Sequence, residues 1–249
     1  MVASAAHAGV FYVHNDSGDR ARFFAIDASG ADRGTFDVVG AENVDWEDAA
    51  RGPCGGATCL YFGDIGGGSS KARAEITVYR VPEPTTVGPA LGPGPHSVTA
   101  EAFPLVYPDG AHDAETLLVH PQTGVVTIVT KEKAGPSTIY ELPMPLTPLV
   151  RATLVKIAQL TVPCGSPRLS GGDIHPAGLG VLIRTDTDVL YYPMASGQSA
   201  ARALGGSACR LAPPREKNGE SIAWTASGDG FVTLSEGARA KLHLAGCAP

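Results

Sequence analysis

The chain has 249 residues and a formal net charge of −6. It shows no cluster of Lys and Arg of the kind that phosphate backbones require, which argues against nucleic acid as a partner. No apolar stretch approaches the roughly 18 residues that cross a bilayer, so no membrane span is predicted. The 31 glycines and 20 prolines, with short Val-, Ile-, Tyr- and Phe-rich runs between turn residues, predict an all-β protein.

Five stretches share one pattern, in which a strand, a polar loop and a second strand follow each other. They begin at Gly9, Cys59, Gly124, Gly180 and Gly230, at intervals of 50 to 65 residues. Inner strands are predicted before the last four, and outer strands in "VTAEAFPLVY" and "ATLVKIAQLTV". Four-stranded repeats of about this length are typical of propeller blades. We predict one domain over residues 1–249, a β-propeller of five four-stranded blades, with a two-sheet sandwich as the alternative.

The fifth repeat ends close to the end of the chain. We therefore expect the outer strand of the fifth blade to be missing, or to be supplied from the other end of the chain.

Two of the five cysteines flank a tight glycine-rich turn in "CGGATC". This arrangement predicts a disulfide between Cys54 and Cys59, which indicates an oxidising compartment: the periplasm, the cell envelope or the exterior. Cys164 and Cys209 are candidates for a second bridge that leaves Cys247 unpaired, and the connectivity stays open. Zinc would need a second cysteine pair or histidines at ligand spacing, and the sequence has neither.

The stretch "NVDWEDAARG", residues 43–52, has three carboxylates around one tryptophan. When the predicted inner strands are aligned on their apolar residues, four acids share one position: Glu47, Glu115, Asp173 and Glu220. Asp45 and Asp113 lie two residues earlier, on the same side of an extended chain. Inner strands line the channel of a propeller, so these six acids are predicted at one mouth, with Trp46 turned away into the packing between blades.

Converging carboxylates repel each other unless a positive charge offsets them. Ca²⁺ takes 6–8 oxygen ligands and tolerates irregular geometry. The six acids are therefore the predicted ligands of a divalent cation, with Ca²⁺ the expected one. The alternative is that such acids cap loops by accepting backbone N–H bonds.

The loops that follow the second strands open on the same face. They contribute five predicted ligand-binding residues: Asn15, Asp16, Asp64, Lys131 and Arg184. Lys131 and Arg184 could instead pair with the acids inside the mouth.

Several motifs resemble a group of secreted bacterial β-propeller proteins. They are "GVFYVHNDSGD", "NVDWED", "YFGDIG" with Arg73 downstream, "YRVPEP" and "DAETLLVHPQTG", which together span roughly residues 7–145. More distantly, the chain resembles the calcium-bearing propellers of the gluconolactonase, paraoxonase and propeller-phytase kinds. The resemblance implies a propeller, a secreted location and a cation site. The chain departs from the expected "GDIGDN" pattern, since Gly66, Gly67 and Gly68 follow its "GDI" motif.

Two functions fit these observations. The first is a monomeric secreted propeller that binds a small molecule, a glycan or a protein at the acidic mouth, with a divalent cation there. The alternative is a calcium-dependent hydrolase of phosphoesters or lactones, in which the cation polarises the scissile oxygen and a carboxylate or His14 acts as base. The sequence favours binding, because it contains no complete set of catalytic residues.

Overall fold

The computed structural model describes residues 1–67, 73–211, 216, 219–237 and 240–246. These residues form five small sheets arranged as the five blades of a β-propeller, which confirms the predicted fold. Helical structure in these ranges is limited to α1 (Ala200–Leu204) and a 3₁₀ turn (Gly88–Leu91). Neither is long and apolar enough to cross a membrane.

Blades 1 and 2 each contain five strands. From the channel outward, blade 1 consists of β1 (Val2–Ala3), β2 (Val10–His14), β3 (Arg22–Asp27), β4 (Asp32–Val39) and β8 (His96–Thr99). Blade 2 consists of β5 (Trp46–Cys54), β6 (Ala57–Asp64), β7 (Ile76–Pro82), β9 (Glu101–Val106) and β13 (Ala152–Thr153).

The other blades contain four, four and three strands. Blade 3 consists of β10 (Ala114–Val119), β11 (Val126–Thr130), β12 (Ser137–Glu141) and β14 (Val155–Leu160). Blade 4 consists of β15 (Leu169–Ile174), β16 (Gly180–Thr185), β17 (Val189–Pro193) and β18 (Cys209–Leu211). Blade 5 consists of β19 (Gly219–Trp224), β20 (Gly230–Ser235) and β21 (Leu242–Gly246), so its outer strand is missing from the described part of the chain, as expected.

The two predicted outer strands each divide into two. β8 pairs in parallel with β4 of blade 1, whereas β9, which begins two residues after β8 ends, is antiparallel to β7 of blade 2. In the same way β13 pairs in parallel with β9, and the chain then enters β14 of blade 3. The rim of one blade is therefore covered by the segment that leads into the outer strand of the next.

Aromatic side chains fill the space between blades 1 and 2. Trp46 is fully buried and stacks on Phe62 with ring centroids 4.8 Å apart, and Phe62 stacks on Phe23 at 5.1 Å. The indole N–H of Trp46 donates to the carbonyl oxygen of Glu42 at 2.9 Å. The prediction that Trp46 packs between blades is confirmed, and truncating a buried aromatic of this size typically costs about 3–5 kcal/mol.

The predicted disulfide joins Cys54 and Cys59 across the turn between β5 and β6, with Cα atoms 5.8 Å apart. Cys164 and Cys209 are free thiols, so the second bridge considered from the sequence is not formed. Cys247 lies outside the described residues.

Four of the innermost strands contain a β-bulge near their first residue. The pairing of β5, β10, β15 and β19 with the next strand skips one residue each time, and the skipped residues are Glu47, Glu115, Ser170 and Glu220. A bulged residue is left out of the ladder and its side chain is re-aimed. The bulges therefore define one equivalent position in four blades at the same end of the channel.

Candidate functional site

Five of the predicted acids converge at this end of the channel. They form two groups that share Glu47, namely Asp16, Asp45 and Glu47, and Glu47, Asp113 and Glu115. In each group one oxygen of every carboxylate lies within 4.8 Å of the others. Asp16 is exposed on the loop after β2, and the other four are partly buried.

Glu47, which belongs to both groups, has a strongly raised pKa. Burial, and then the charges of Glu115, Asp16, Asp45 and Asp113, raise the pKa of Glu47 to about 10. A pKa raised by like charges shows that the negative charge of the carboxylate is not offset by nearby positive charge. The group therefore has the character of a site that a cation would stabilise.

Lys131 supplies one positive charge at the edge of this group. Its Nζ lies 2.5 Å from Oε2 of Glu115, and the two side chains are only 10% and 13% exposed. Burial raises the pKa of Glu115 to about 7 in spite of this pair. Lys131 therefore pairs with Glu115, which is the internal pairing that the sequence left open for this lysine.

Glu220 occupies the equivalent bulge in blade 5, but neither carboxylate group includes it. Burial raises its pKa, while Lys131 acts in the opposite direction. The structure therefore places Glu220 within electrostatic reach of Lys131 and outside the five-carboxylate cluster.

Asp64 forms hydrogen bonds next to the cluster. Its Oδ1 accepts the backbone N–H of Asp45 and the Nη1 of Arg73, both at 2.8 Å. Arg73 also donates through Nε and Nη2 to the carbonyl oxygen of Gly66, at 3.0 and 2.7 Å. Asp64, predicted as a ligand-binding residue, therefore fixes the loop that carries Asp45.

The loop after β6 passes directly against the carboxylates. A Cβ at Gly66 would overlap Oε1 of Glu47 and lie 2.5 Å from Oδ2 of Asp45. The next amide, of Gly67, donates to Oδ1 of Asp113 at 3.2 Å. The expected "GDIGDN" pattern has an aspartate at the position of Gly67, where this chain offers only a backbone amide. Gly68, at the position of the asparagine, lies outside the described residues.

Asp173 does not belong to the cluster, so the alignment that placed it beside Glu47 was wrong. The bulge position of β15 is Ser170, three residues earlier. The carboxylate of Asp173 instead accepts the backbone N–H groups of Ile174 and Trp224, both at 2.8 Å. Asp173 lines a small crevice with Pro121, which follows the end of β10 that lies away from Glu115.

In a regular strand Asp48 would lie on the same side as Trp46, away from the channel, and the structure shows otherwise. The bulge at Glu47 changes the alternation, so both Glu47 and Asp48 point inward. Oδ2 of Asp48 accepts the N–H groups of Leu117 and Gly172, both at 3.1 Å, and burial raises its pKa to about 7. Asp48 therefore links blades 2, 3 and 4, a role that no sequence signal distinguished from that of its neighbours.

Arg184, predicted on a loop, lies inside β16 and is 1% exposed. Its Nη2 donates to Oε2 of Glu216 at 2.8 Å, and Oε1 of Glu216 accepts the hydroxyl of Thr233 at 2.8 Å. Arg184 is therefore paired, but with Glu216, which was not among the acids predicted at the mouth.

His14, the last residue of β2, and Asn15, the first residue of the loop after it, are not among the residues of the two carboxylate groups. Asn15 is exposed and donates through Nδ2 to Oδ2 of Asp19 at 2.6 Å. The ring of His14 packs edge-on against Trp46 and Phe62, and burial lowers its pKa to about 3. His14 is therefore a neutral part of the packing between blades.

No family model and no curated protein matches the chain. Among solved structures, it is similar to the periplasmic gluconolactonase of Pseudomonas aeruginosa, with a TM-score of 0.47 and 12% sequence identity. The similarity covers 96% of this chain and 69% of that chain.

Proposed function

We propose that the protein binds a divalent cation at the channel mouth and that this cation holds a ligand there. Ca²⁺ is the cation that we expect. The observation that supports this most directly is the pair of carboxylate groups that share Glu47. Their five carboxylates come from three blades and offer enough oxygens for an ion that takes 6–8.

The donor set favours a hard cation. The two groups contain carboxylates alone, and carboxylate oxygens suit Ca²⁺, Mg²⁺ and Mn²⁺ better than the ions that prefer imidazole or thiolate. Mg²⁺ demands a near-ideal octahedron, whereas Ca²⁺ accepts irregular sets of ligands from separate loops. Asp16, Asp45 and Glu47 would hold the ion on the open side, with Asp113 and Glu115 beside them.

The position of the charges favours binding over catalysis. Asp16 is exposed, so the ion would meet solvent on that side, where an oxygen of a small molecule, a glycan or a protein could complete its shell. His14, the base considered from the sequence, packs among aromatic rings and stays neutral. We therefore infer a cation-dependent binding protein.

The experiment is a melting curve with Ca²⁺ and with a chelator. Mass action gives about 2.7 kcal/mol at a hundredfold excess over Kd, and each kcal/mol corresponds to roughly 2–4 °C in a chain of this size. We expect Ca²⁺ to raise the Tm of the parent, and Glu47→Gln to abolish the rise. Glu101→Gln, the same charge change on β9, should leave it intact. A parent whose Tm responds to neither Ca²⁺ nor chelator contradicts the proposal.

Hydrolysis is the second candidate, and one observation favours it. A carboxyl with a pKa of about 7, that of Glu115, can exchange a proton near neutral pH. Turnover of a simple lactone or phosphoester by the Ca²⁺-loaded parent, lost with chelator and in Glu47→Gln, would support the enzyme. Ca²⁺ binding without turnover would support the binding protein.

The disulfide supports an oxidising compartment. Structural disulfides persist in the periplasm and outside the cell and are rare in the cytosol. We infer that the protein works in the periplasm, in the cell envelope or outside the cell.

A further inference from the structure

A second group of polar side chains lies where the chain passes from blade 2 to blade 3. Residues 107–113, between β9 and β10, have the sequence "YPDGAHD". Pro, Asp and Gly in this order are typical of a tight turn, and Gly110 has a φ of 109°. Nε2 of His112 lies 3.1 Å from Oδ1 of Asp109. The turn therefore places a carboxylate and an imidazole side by side.

Blade 3 adds a phenol to this pair. The hydroxyl of Tyr140, on β12, donates to Oδ1 of Asp109 at 2.8 Å and lies 3.0 Å from Nε2 of His112. Tyr140 is fully buried, whereas the side chains of Asp109 and His112 are 34% and 23% exposed. The three atoms thus form a triangle with one buried corner and two corners that reach solvent. None of these residues belongs to the five-carboxylate cluster.

The triangle has more short contacts than hydrogens to fill them. The phenol has one polar hydrogen and Nε2 of His112 has at most one, whereas an ionised carboxylate has none. Two hydrogens therefore serve three contacts of 2.8, 3.0 and 3.1 Å. Each of the three atoms has a lone pair that can bind a cation when these hydrogens leave. The trio therefore has the composition of a metal-ligand set in its protonated form.

The distances fit one face of an octahedron. Metal–ligand bonds of about 2.0–2.1 Å place neighbouring ligands about 2.9 Å apart in octahedral geometry and about 3.3 Å apart in tetrahedral geometry. The edges of the triangle, at 2.8–3.1 Å, match the first value. An octahedral ion therefore fits with little movement, whereas tetrahedral zinc would require the ligands to separate. Three positions of the octahedron remain for water or an anion.

Neighbouring side chains orient two of these groups. Nζ of Lys156, on β14, lies 2.7 Å from Oδ2 of Asp109, which leaves Oδ1 on the triangle. The ring of His112 packs edge-on against Tyr107, with centroids 4.9 Å apart. Partners that hold a ligand without touching the metal are a regular feature of metal sites. The carboxylate and the imidazole are therefore oriented before any ion binds.

We propose that Asp109, His112 and Tyr140 bind a ferric ion, at a site separate from the channel mouth. Imidazole suits iron among the transition metals, and tyrosine oxygen is an established ligand of iron. Burial, and then the hydrogen bond to Asp109, raise the pKa of Tyr140. The ion that displaces the phenol proton into solvent must therefore be strongly charged, which favours Fe³⁺ over a divalent ion. The bound ion would tie the loop of residues 107–113 to blade 3.

Visible absorption tests the phenol ligand. Fe³⁺, added as its nitrilotriacetate complex to the Ca²⁺-saturated parent, should produce a phenolate-to-iron charge-transfer band that saturates at one ion per chain. Tyr140→Phe should lose the band. Tyr191→Phe, on β17 of blade 4, is the matched control and should keep it. A parent without the band, or a Tyr140→Phe variant that retains it, overturns the proposal.

Two further variants separate this site from the mouth and from a loss of folding. Carboxylates alone give no such band, so Glu47→Gln should keep it at the same stoichiometry; its loss there would move the site to the mouth and overturn the proposal. His112→Gln alters a side chain that is partly exposed and should leave the circular dichroism of the parent unchanged. It should weaken Fe³⁺ binding by at least about tenfold. Equal Fe³⁺ affinity in His112→Gln and in the parent contradicts the three-ligand site.

Discussion

Gly66 lies where the loop after β6 passes Asp45 and Glu47, and its own carbonyl oxygen is held by Arg73. The loop cannot move away from a new side chain without breaking the bonds to that arginine. The carboxylates would have to move instead, and they are the atoms proposed to bind the cation. One missing methyl group thus preserves the geometry of the site.

We expect Gly66→Ala to lower the free energy of unfolding by about 1–3 kcal/mol, the usual range for overpacking, and to weaken the Ca²⁺ response of the Tm. Denaturant unfolding with and without Ca²⁺ measures both effects. Gly205→Ala is the control, because that glycine has a φ of −77° and its Cβ would meet nothing closer than 3.5 Å. A full Ca²⁺ response in Gly66→Ala would show that the two carboxylates are not ligands.

The spacing of the acids could be predicted from the sequence, but their surroundings could not. Asp45 with Glu47, and Asp113 with Glu115, follow from two-residue alternation along an extended chain. Asp48 breaks that alternation because a bulge precedes it, and nothing in "DWED" distinguishes a bulged residue from a paired one. The close approach of Gly66 depends on Arg73, which is seven residues further along the chain.

At the scale of single strands, the sequence alignment of the inner strands identified the bulge position correctly in three blades and wrongly in blade 4, where it chose Asp173. Strands β5, β10 and β19 keep enough apolar residues to fix their register. Strand β15 has the sequence "LSGGDI", and its two glycines provide no apolar side chain on which to align it. The alignment therefore slid by three residues, from Ser170 to Asp173.

The hairpin of β5 and β6 gives a prediction at this scale. The disulfide closes a loop of six residues, for which the chain-entropy model gives about 2 kcal/mol. Replacing Cys54 and Cys59 by Ser should lower the free energy of unfolding by this amount, as measured by denaturant titration. Reductant should destabilise the parent to the same extent and leave the double variant unchanged.

Cys164→Ser is the control for that experiment, since Cys164 is a free thiol. Its unfolding should not depend on reductant beyond the effect seen in the parent. If the parent itself is insensitive to reductant, the hairpin disulfide does not form in solution, and the assignment to an oxidising compartment loses its main support.

At the scale of the whole molecule, the number of blades was predictable because each repeat preserves its turn residues. The crossing of the chain at the rim was not, because "VTAEAFPLVY" reads as one strand although it serves two blades. Polar contacts also connect the inner strands of neighbouring blades. Arg51 donates to the carbonyl oxygen of Ala3 at 2.9 Å, and Asp173 joins blades 4 and 5.

We expect residues 1–249 to unfold as one unit, because no blade can bury both of its faces alone. Calorimetry at low protein concentration should give equal calorimetric and van't Hoff enthalpies, the mark of a single cooperative transition. Two resolved transitions, or a proteolytic fragment that stays folded, would divide the chain into more than one domain.

The bulges at Glu47, Glu115, Ser170 and Glu220 also bear on how such a protein can change over evolution. A residue that the ladder skips takes no part in the pairing that holds its blade together, so its side chain can be exchanged at little cost to the fold. Each of these four blades therefore offers one position at which the charge of the mouth can be altered separately. Repeats that diverge in this way could acquire a new ligand preference by single substitutions, and in blade 4 this position has an uncharged residue, Ser170.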